Sequence, residues 1–309
     1  MDIRFDGRVA IVTGAGAGLG RSHALGLAAR GAKVVVNDLG AATDGSGQSS
    51  DAAKSVVEEI RAMGGHAIAD GADVTNPEQV QAMVDAALAE WGRVDILVCN
   101  AGILRDKTFA KMGLEDFRKV VDVHLMGTVN CCHAVWRHMT ERGFGRIVLT
   151  TSGTGLYGNF GQSNYAAAKA GMIGLMNTLS AEGAKFDIRI NTLAPTAATR
   201  MTENLLPPEV LELLKPELIT PGLLALVADD SPSRMILGAG AGVFTETRLH
   251  ETQGVALEGD EISPEGVMAA MDRIRDTEGQ TEMENAFAQT RKYARMAAEK
   301  RGLPLPWEE

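Results

Sequence analysis

Residues 8–20 read RVAIVTGAGAGLG, Arg8 through Gly20. A β-branched apolar run passes directly into a turn of glycine and alanine, Thr13-Gly14-Ala15-Gly16-Ala17-Gly18-Leu19-Gly20, and a helix-compatible stretch follows. Small residues therefore occupy a strand-to-helix turn, where backbone N–H groups and a helix N-terminus can receive a pyrophosphate. The spacing is not G-x-G-x-x-G, because counting from Gly14 or from Gly16 the last position is not glycine.

Working outward, further short apolar runs recur at KVVVN 33–37, GHAIA 65–69, VDILVC 94–99, GRIVLTT 145–151 and IRINTLA 188–194. Between them, stretches such as 51–63 and 77–91 repeat apolar residues every three or four positions, the mark of amphipathic crossover helices. Continuous apolar strands between helices predict an α/β class fold, a single Rossmann-type doubly wound parallel sheet with ligands at the carboxyl ends of its strands. Gly40 to Ser50 is a polar excursion that reads as a surface loop. Composition shifts after Thr245. We expect residues 1–245 to form the nucleotide-binding catalytic domain and 246–309 a helical C-terminal extension, in which Val267, Met268, Met271 and Ile274 predict an amphipathic helix over 264–275.

A chain of 309 residues with 45% hydrophobic and 23% charged residues can bury a large core, so wholesale disorder is excluded. The net charge of -10 repels phosphate backbones and anionic lipid, and the expected partner is a small molecule rather than nucleic acid or membrane. The charged N-terminus MDIRFDGR has no apolar leader core and no run reaches eighteen apolar residues, so the expected location is cytoplasmic. Cys99, Cys131 and Cys132 match no metal spacing, and the adjacent pair is poorly placed for a disulfide; they read as reduced core residues, and no metal is expected.

Asp38 closes the second strand eighteen residues after Gly20, near the spacing at which an acid accepts hydrogen bonds from an adenosine ribose. A 2'-phosphate would meet a carboxylate there, which favours NAD over NADP; the competing reading is an acid that caps the following turn. Tyr165 and Lys169, in SNYAAAKAGMIGLM, lie four apart and share a helix face, so the ammonium can favour phenolate over phenol. An unperturbed phenol titrates near pH 10, and use as a base near neutrality requires a shift of roughly two to three units, about 3–4 kcal/mol. Y-x-x-x-K alone recurs by chance, and its context supplies the specificity.

The arrangement T-G-x-x-x-G-x-G, with Tyr165, Lys169 and a serine thirteen residues before the tyrosine, resembles the short-chain dehydrogenase/reductase family. That resemblance implies that Ser152 hydrogen-bonds the substrate oxygen, against the alternative of a turn cap. It implies that Asp73 and Val74 contact adenine, that Asn100-Ala101-Gly102 closes the fourth strand beside the cofactor, that Pro195 presents the sixth strand to the nicotinamide, and that Thr199 contacts its carboxamide. Two positions depart from the family. His124 stands where asparagine is usual, in a relay with water and the lysine, and Pro195 is followed by Thr196 rather than glycine, with a loop to Met201 one residue short.

Strings such as VVVNDLG, NAGILRD, DVHL, YGNFGQSNYAAAK and LKPE are similar to one branch, the (3R)-hydroxyacyl-CoA dehydrogenases of peroxisomal multifunctional enzymes, also described as 17β-hydroxysteroid dehydrogenase-like. His124 is shared with that branch. The hydratase and sterol-carrier portions have no counterpart here, and the chain ends in WEE rather than a peroxisomal SKL. The resemblance implies oxidation of a (3R)-3-hydroxyacyl-CoA, with a steroid side chain as one option, by a homodimer or homotetramer whose extension lies near the substrate cleft or a subunit interface. Three alternatives stay open: dehydrogenation of a free hydroxysteroid, reduction of a 3-oxoacyl-carrier protein, and a non-catalytic NAD-bound interaction module.

Overall fold

β1 (Val9–Thr13) is buried along its whole length and pairs in parallel with β2 (Lys33–Asn37) on one side and β4 (Ile96–Cys99) on the other. It is therefore the strand at which the order of the sheet reverses, and such a reversal opens a crevice beyond the strand ends. The computed structural model describes residues 2–47, 49, 51–197 and 207–305. With β3 (His66–Asp70), β5 (Gly145–Thr150), β6 (Ile188–Thr196), β7 (Ile236–Gly240) and β8 (Val243–Thr247), the sheet runs β3-β2-β1-β4-β5-β6-β7-β8. The expected doubly wound sheet is present, and only β8 is antiparallel.

The connecting helices are α1 (Gly18–Ala29), α2 (Asp51–Ala62), α3 (Pro77–Trp91), α4 (Leu114–Val121), α5 (Gly127–Arg142), α6 (Gly153–Tyr157), α7 (Ser163–Gly183), α8 (Pro208–Leu213) and α9 (Thr220–Leu226). They cover both faces, burying Val12, Leu27, Val36 and Leu193 on one side and Ile11, Leu97, Met139 and Ile147 on the other. Helix ends follow local chemistry: the Asn76 side chain accepts from Gln79 N at 3.0 Å to start α3, and Gly92 closes it at φ 72°.

The chain separates into two compact units, 1–247 and 248–309. The boundary expected at Thr245 falls inside β8. Ala241 (φ 53°) and Gly242 (φ 74°) form a two-residue turn with both residues left-handed, the geometry that closes a tight hairpin, and it returns the chain as an eighth strand. The second unit has a short antiparallel pair, His250–Glu251 with Thr281–Glu282, and helices Pro264–Ala269, Met271–Arg275 and Ala286–Arg301. The single helix expected over 264–275 is interrupted at Ala270, whose φ and ψ of -89° and -1° end the first segment. Among the described residues no helix is long and apolar enough to cross a membrane.

Candidate active site

The glycine turn sits at the β1 end of the crevice, and Gly14, Gly16 and Gly20 stand where a side chain would clash. A Cβ on Gly20 would fall 2.2 Å from the carbonyl oxygen of Gly14. Ala17 caps α1 in extended conformation with no side-chain hydrogen bond, and the first turn holds no acid, so the amide end of the helix faces outward for an anion. Leu19 is half-buried and packs on the core, which fixes the helix start. Asn100 ties the turn to β4: its Nδ2 donates to the carbonyls of Thr13 and Gly14, both at 3.0 Å. The Thr13 hydroxyl accepts in return from Asn100 N at 3.0 Å and Ala101 N at 3.1 Å.

Asp38 lies between this turn and the loop that follows β2. Gly16 N donates to Oδ2 and Gly40 N to Oδ1, each at 2.7 Å. The carboxylate thus caps the local turn, as the competing reading of this residue expects, and braces the glycine turn.

The reacting group is assembled from β5, α7 and the helix before α5. Residues Asp122–Met126 form a single π turn between α4 and α5, a widening of the helix that recurs at functional sites, and it carries His124. His124 is buried, and its ring stands against Gly102, where a Cβ would come within 2.2 Å of Cε1. Gly102 is thus glycine because the imidazole occupies that space. His124 Nε2 lies 2.7 Å from the carbonyl oxygen of Ile103 and 3.0 Å from Ile103 N. One nitrogen cannot donate and accept with a single proton, and the shorter contact, to oxygen, assigns the proton to Nε2. Burial and the nearby Lys169 charge push His124 well below the usual imidazole range, so it is neutral; Nδ1 is buried with no partner among the described residues.

The Tyr165 ring meets the His124 ring at 5.0 Å, and Lys169 Nζ lies 5.5 Å from its centroid. The Ser152 hydroxyl accepts from Thr154 N at 3.1 Å, so it caps α6, and it lies near enough to Tyr165 to favour the ionised phenol. Lys169 is buried; its ammonium donates to the Thr150 carbonyl, and burial brings its pKa down to about 7. In the chain alone Tyr165 is pushed up, mainly by burial, with Ser152 pulling down and Asp106 pushing up. This differs from the lowering anticipated from helix spacing. The buried lysine is itself close to neutral at pH 7 and supplies less field than a full ammonium.

Asp73 and Val74 follow β3: the Asp73 carboxylate accepts from Thr75 N at 2.8 Å, and the Val74 carbonyl accepts from Asn130 Nδ2 of α5 at 2.9 Å. Pro195 sits in β6 opposite Ala239. Thr199 lies outside the described residues. The structure therefore joins the glycine turn to Asn100, and Gly102, His124, Tyr165 and Lys169 to one another, through direct contacts, and places Ser152, Asp73, Val74 and Pro195 at the carboxyl ends of their strands. Sequence reading missed the Thr13 hydroxyl, the Thr150 carbonyl and Asn164. Asn164 is buried beside Tyr165 and donates to the Arg105 carbonyl at 3.0 Å. Its position next to the tyrosine was the available signal.

The short chain dehydrogenase family model matches residues 8–209. The peroxisomal hydratase-dehydrogenase-epimerase of Saccharomyces cerevisiae is 46% identical over 278 residues, covering 89% of this chain and 31% of that protein. This chain thus spans about a third of the length of that relative. Among solved structures, full-length peroxisomal multifunctional enzyme type 2 from Drosophila melanogaster superposes with a TM-score of 0.79 at 36% identity, covering 96% of this chain and 50% of that one. A 7α-hydroxysteroid dehydrogenase complexed with NADH and 7-oxo glycochenodeoxycholic acid gives a TM-score of 0.70 at 32% identity, over 77% of this chain and 95% of that one. The chain is an oxidoreductase of CH–OH groups that works with a nicotinamide cofactor. With the strand order, the glycine turn and the serine, tyrosine and lysine all in place, it belongs to the short chain dehydrogenase family.

Proposed function

We propose that this chain uses NAD to oxidise (3R)-3-hydroxyacyl-CoA to 3-oxoacyl-CoA. The observation that carries the reaction is the set of groups around Tyr165: Lys169 beneath its ring, His124 at its edge and Ser152 near enough to favour its ionised form. Ser152 would hold the substrate oxygen, and Tyr165 would take the hydroxyl proton as the carbon–hydrogen bond breaks. NAD, when bound, is the hydride acceptor. Gly16, Gly18 and Gly20 would receive its pyrophosphate, Asp38 its adenosine ribose, Asp73 and Val74 its adenine, and Asn100, Pro195 and Lys169 its nicotinamide half. Lys169, tethered to the Thr150 carbonyl, keeps its amino group beneath the Tyr165 ring.

The preference for NAD rests on Asp38, whose fixed carboxylate would repel a 2'-phosphate. The acyl-CoA assignment is supported by the DVHL and YGNFGQSNYAAAK resemblance and by the likeness to multifunctional enzymes. A second reading, oxidation of a free hydroxysteroid, is favoured by the likeness to the 7α-hydroxysteroid dehydrogenase. Comparing kcat/KM for (3R)- and (3S)-hydroxyacyl-CoAs and free hydroxysteroids, each with NAD and NADP, separates the two. The (3R) thioesters with NAD should lead by at least about tenfold, and a steroid in first place would replace the acyl-CoA reading.

A further inference from the structure

Immediately after Ser152, a cavity of about 300 Å3 is walled by Gly153, Leu156 and Tyr157 on one side and by the last three strands of the sheet on the other. Strand alternation places every second residue of β6, β7 and β8 on this face. The rows are Ala194–Gly238–Thr245 and Thr196–Gly240–Val243, each with glycine at its centre. Strand centres usually carry β-branched side chains, and their absence here makes the floor of the cavity. The Tyr157 hydroxyl bonds Thr247 Oγ1 at 3.1 Å and bridges α6 to β8 along its side. Among the described residues no lining side chain is charged.

A secondary alcohol held by Ser152 and Tyr165 sends two arms away from its carbinol carbon. In a 3-hydroxyacyl thioester, one arm leads to the phosphates of CoA and the other is alkyl. An uncharged recess would strip water from phosphate without replacing it, whereas an alkyl arm loses nothing on entry and gains roughly fourfold in affinity per buried methylene. The volume suits roughly ten methylene-sized groups at ~30 Å3 each. We propose that this cavity receives the alkyl arm of the substrate and that Gly238 sets how much of it fits. The inference rests on the proposed oxidation at Ser152 and Tyr165.

Gly238 is the position where the floor can be raised with least disturbance. A Cβ there meets first the terminal Oγ1 of Thr245, at 2.6 Å, which can rotate away. At Gly240 the first obstacle is the backbone carbonyl of Thr196, at 2.9 Å. Gly238 is not among the residues with positive φ, and valine suits a strand, so Gly238→Val should fill the recess once the Thr245 hydroxyl has turned aside.

The test compares wild type and Gly238→Val on paired short and long substrates: four- and twelve-carbon (3R)-3-hydroxyacyl-CoAs, and 2-butanol with 2-octanol as pairs lacking a thioester. Gly238→Val should lower kcat/KM for the long member about tenfold or more and leave the short member within about twofold. Equal losses on both lengths, or none on either, would overturn the subsite. Thr245→Ala, which enlarges the same space, should raise the long-to-short ratio; an unchanged ratio counts against the proposal even if Gly238→Val does not fold. Oxidation of alkanols but not thioesters would sink the acyl-CoA reading while the alkanol pair still reads the cavity. Calorimetric binding of 2-octanone to the NAD complex gives the same readout without turnover, with at least about tenfold weakening expected in Gly238→Val.

Discussion

The imidazole of His124 meets the phenol of Tyr165 edge to face, with centroids 5.0 Å apart and planes at 89°. The same imidazole is tied to Ile103 through Nε2, so it links the segment after β4 to the tyrosine. Two substitutions separate packing from hydrogen bonding. His124→Phe keeps an aromatic edge but leaves the buried Ile103 carbonyl unpaired, a cost of about 1–3 kcal/mol. His124→Asn can still reach Ile103 but gives up the ring contact. We expect Phe to lower the Tm more than Asn and to reduce kcat at least about tenfold, with Asn retaining the larger share. A phenylalanine variant with wild-type kcat and Tm would remove the Ile103 bond from the account.

Lys169 predicts a conflict between stability and activity. Its folded pKa of about 7 lies far below the 10.5 of a free lysine, so burial disfavours the ammonium. The sign follows: between pH 7 and 10.5 the unfolded chain holds a proton that the folded one lacks, so stability rises with pH across that window and the penalty is greatest at and below pH 7. Lys169→Met removes the penalty and should raise the Tm of the apoprotein at pH 7, even though the Thr150 carbonyl loses its donor. The same variant should lose nearly all turnover and bind NAD more weakly. Tyr165→Phe should cost about 10³-fold in kcat with NAD affinity within a few-fold. Melting curves that show Lys169→Met less stable at pH 7 would contradict the burial argument.

Asp38 should govern cofactor choice and turn geometry together, because its two oxygens hold Gly16 N and Gly40 N. The wild type should favour NAD over NADP by about 10²-fold in kcat/KM, and Asp38→Ala should bring the ratio to within about tenfold, mostly by loss of NAD affinity. Equal use of both cofactors by the wild type is the outcome that defeats this assignment.

How far the sequence discloses these features depends on whether their cause is local. β1, β2 and β5 are β-branched runs whose burial alone makes them strands, and Tyr165 with Lys169 is a matter of helix pitch. β7 reads Ile-Leu-Gly-Ala-Gly, a composition poor in strand formers, and it is a strand because β6 and β8 hold its backbone on both sides. The π turn at His124 has no local signature, and the ring's position follows from a glycine twenty-two residues earlier. Helix periodicity over 264–275 was present, yet the chain turns at Ala270. The sign of the Tyr165 shift depends on burial, which spacing on a helix does not encode.

His23 predicts acid sensitivity away from the site. It is fully buried on α1, its Nδ1 lies 2.9 Å from Thr220 Oγ1 of α9, and burial lowers its pKa from 6.5 to about 3. Below pH 6.5 the unfolded chain takes up a proton that the folded chain refuses, so stability present above 6.5 is lost as pH falls toward 3, by about 1.4 kcal/mol per unit. Buried neutral His124 adds in the same direction. His23→Met leaves Thr220 bonded to Ser22 Oγ at 2.6 Å and should flatten the decline of Tm between pH 6 and 4. Parallel pH profiles for the two proteins would exclude His23 as a source.

The last prediction concerns residues 248–309. Among the described residues of this unit only Ala270 and Ala298 are buried apolar side chains, whereas Ile262, Met268, Phe287 and Leu303 are exposed. A segment of this size with so small a core cannot offset its own ordering entropy. Its order comes partly from polar bonds: Lys292 Nζ reaches Glu251 at 3.0 Å, and the Glu251 carboxylate also accepts from Gln289 and Tyr293. Such exposed apolar side chains need cover, and we propose a second copy of the chain, in a homodimer or homotetramer, as the cover. Truncation should follow Thr247 rather than Thr245, because Glu246 and Thr247 pair with Leu237 and Ile236. The shortened protein should bind NAD within about threefold of the full chain, since β1 to β7 and the glycine turn are intact. Light scattering should show a smaller assembly. The expectation that this segment borders the substrate cleft is read by the same variant, as a KM for twelve-carbon hydroxyacyl-CoA raised several-fold. A truncated protein with unchanged mass and kinetics would assign residues 248–309 neither task, and the order of that unit would then have to come from its polar bonds alone.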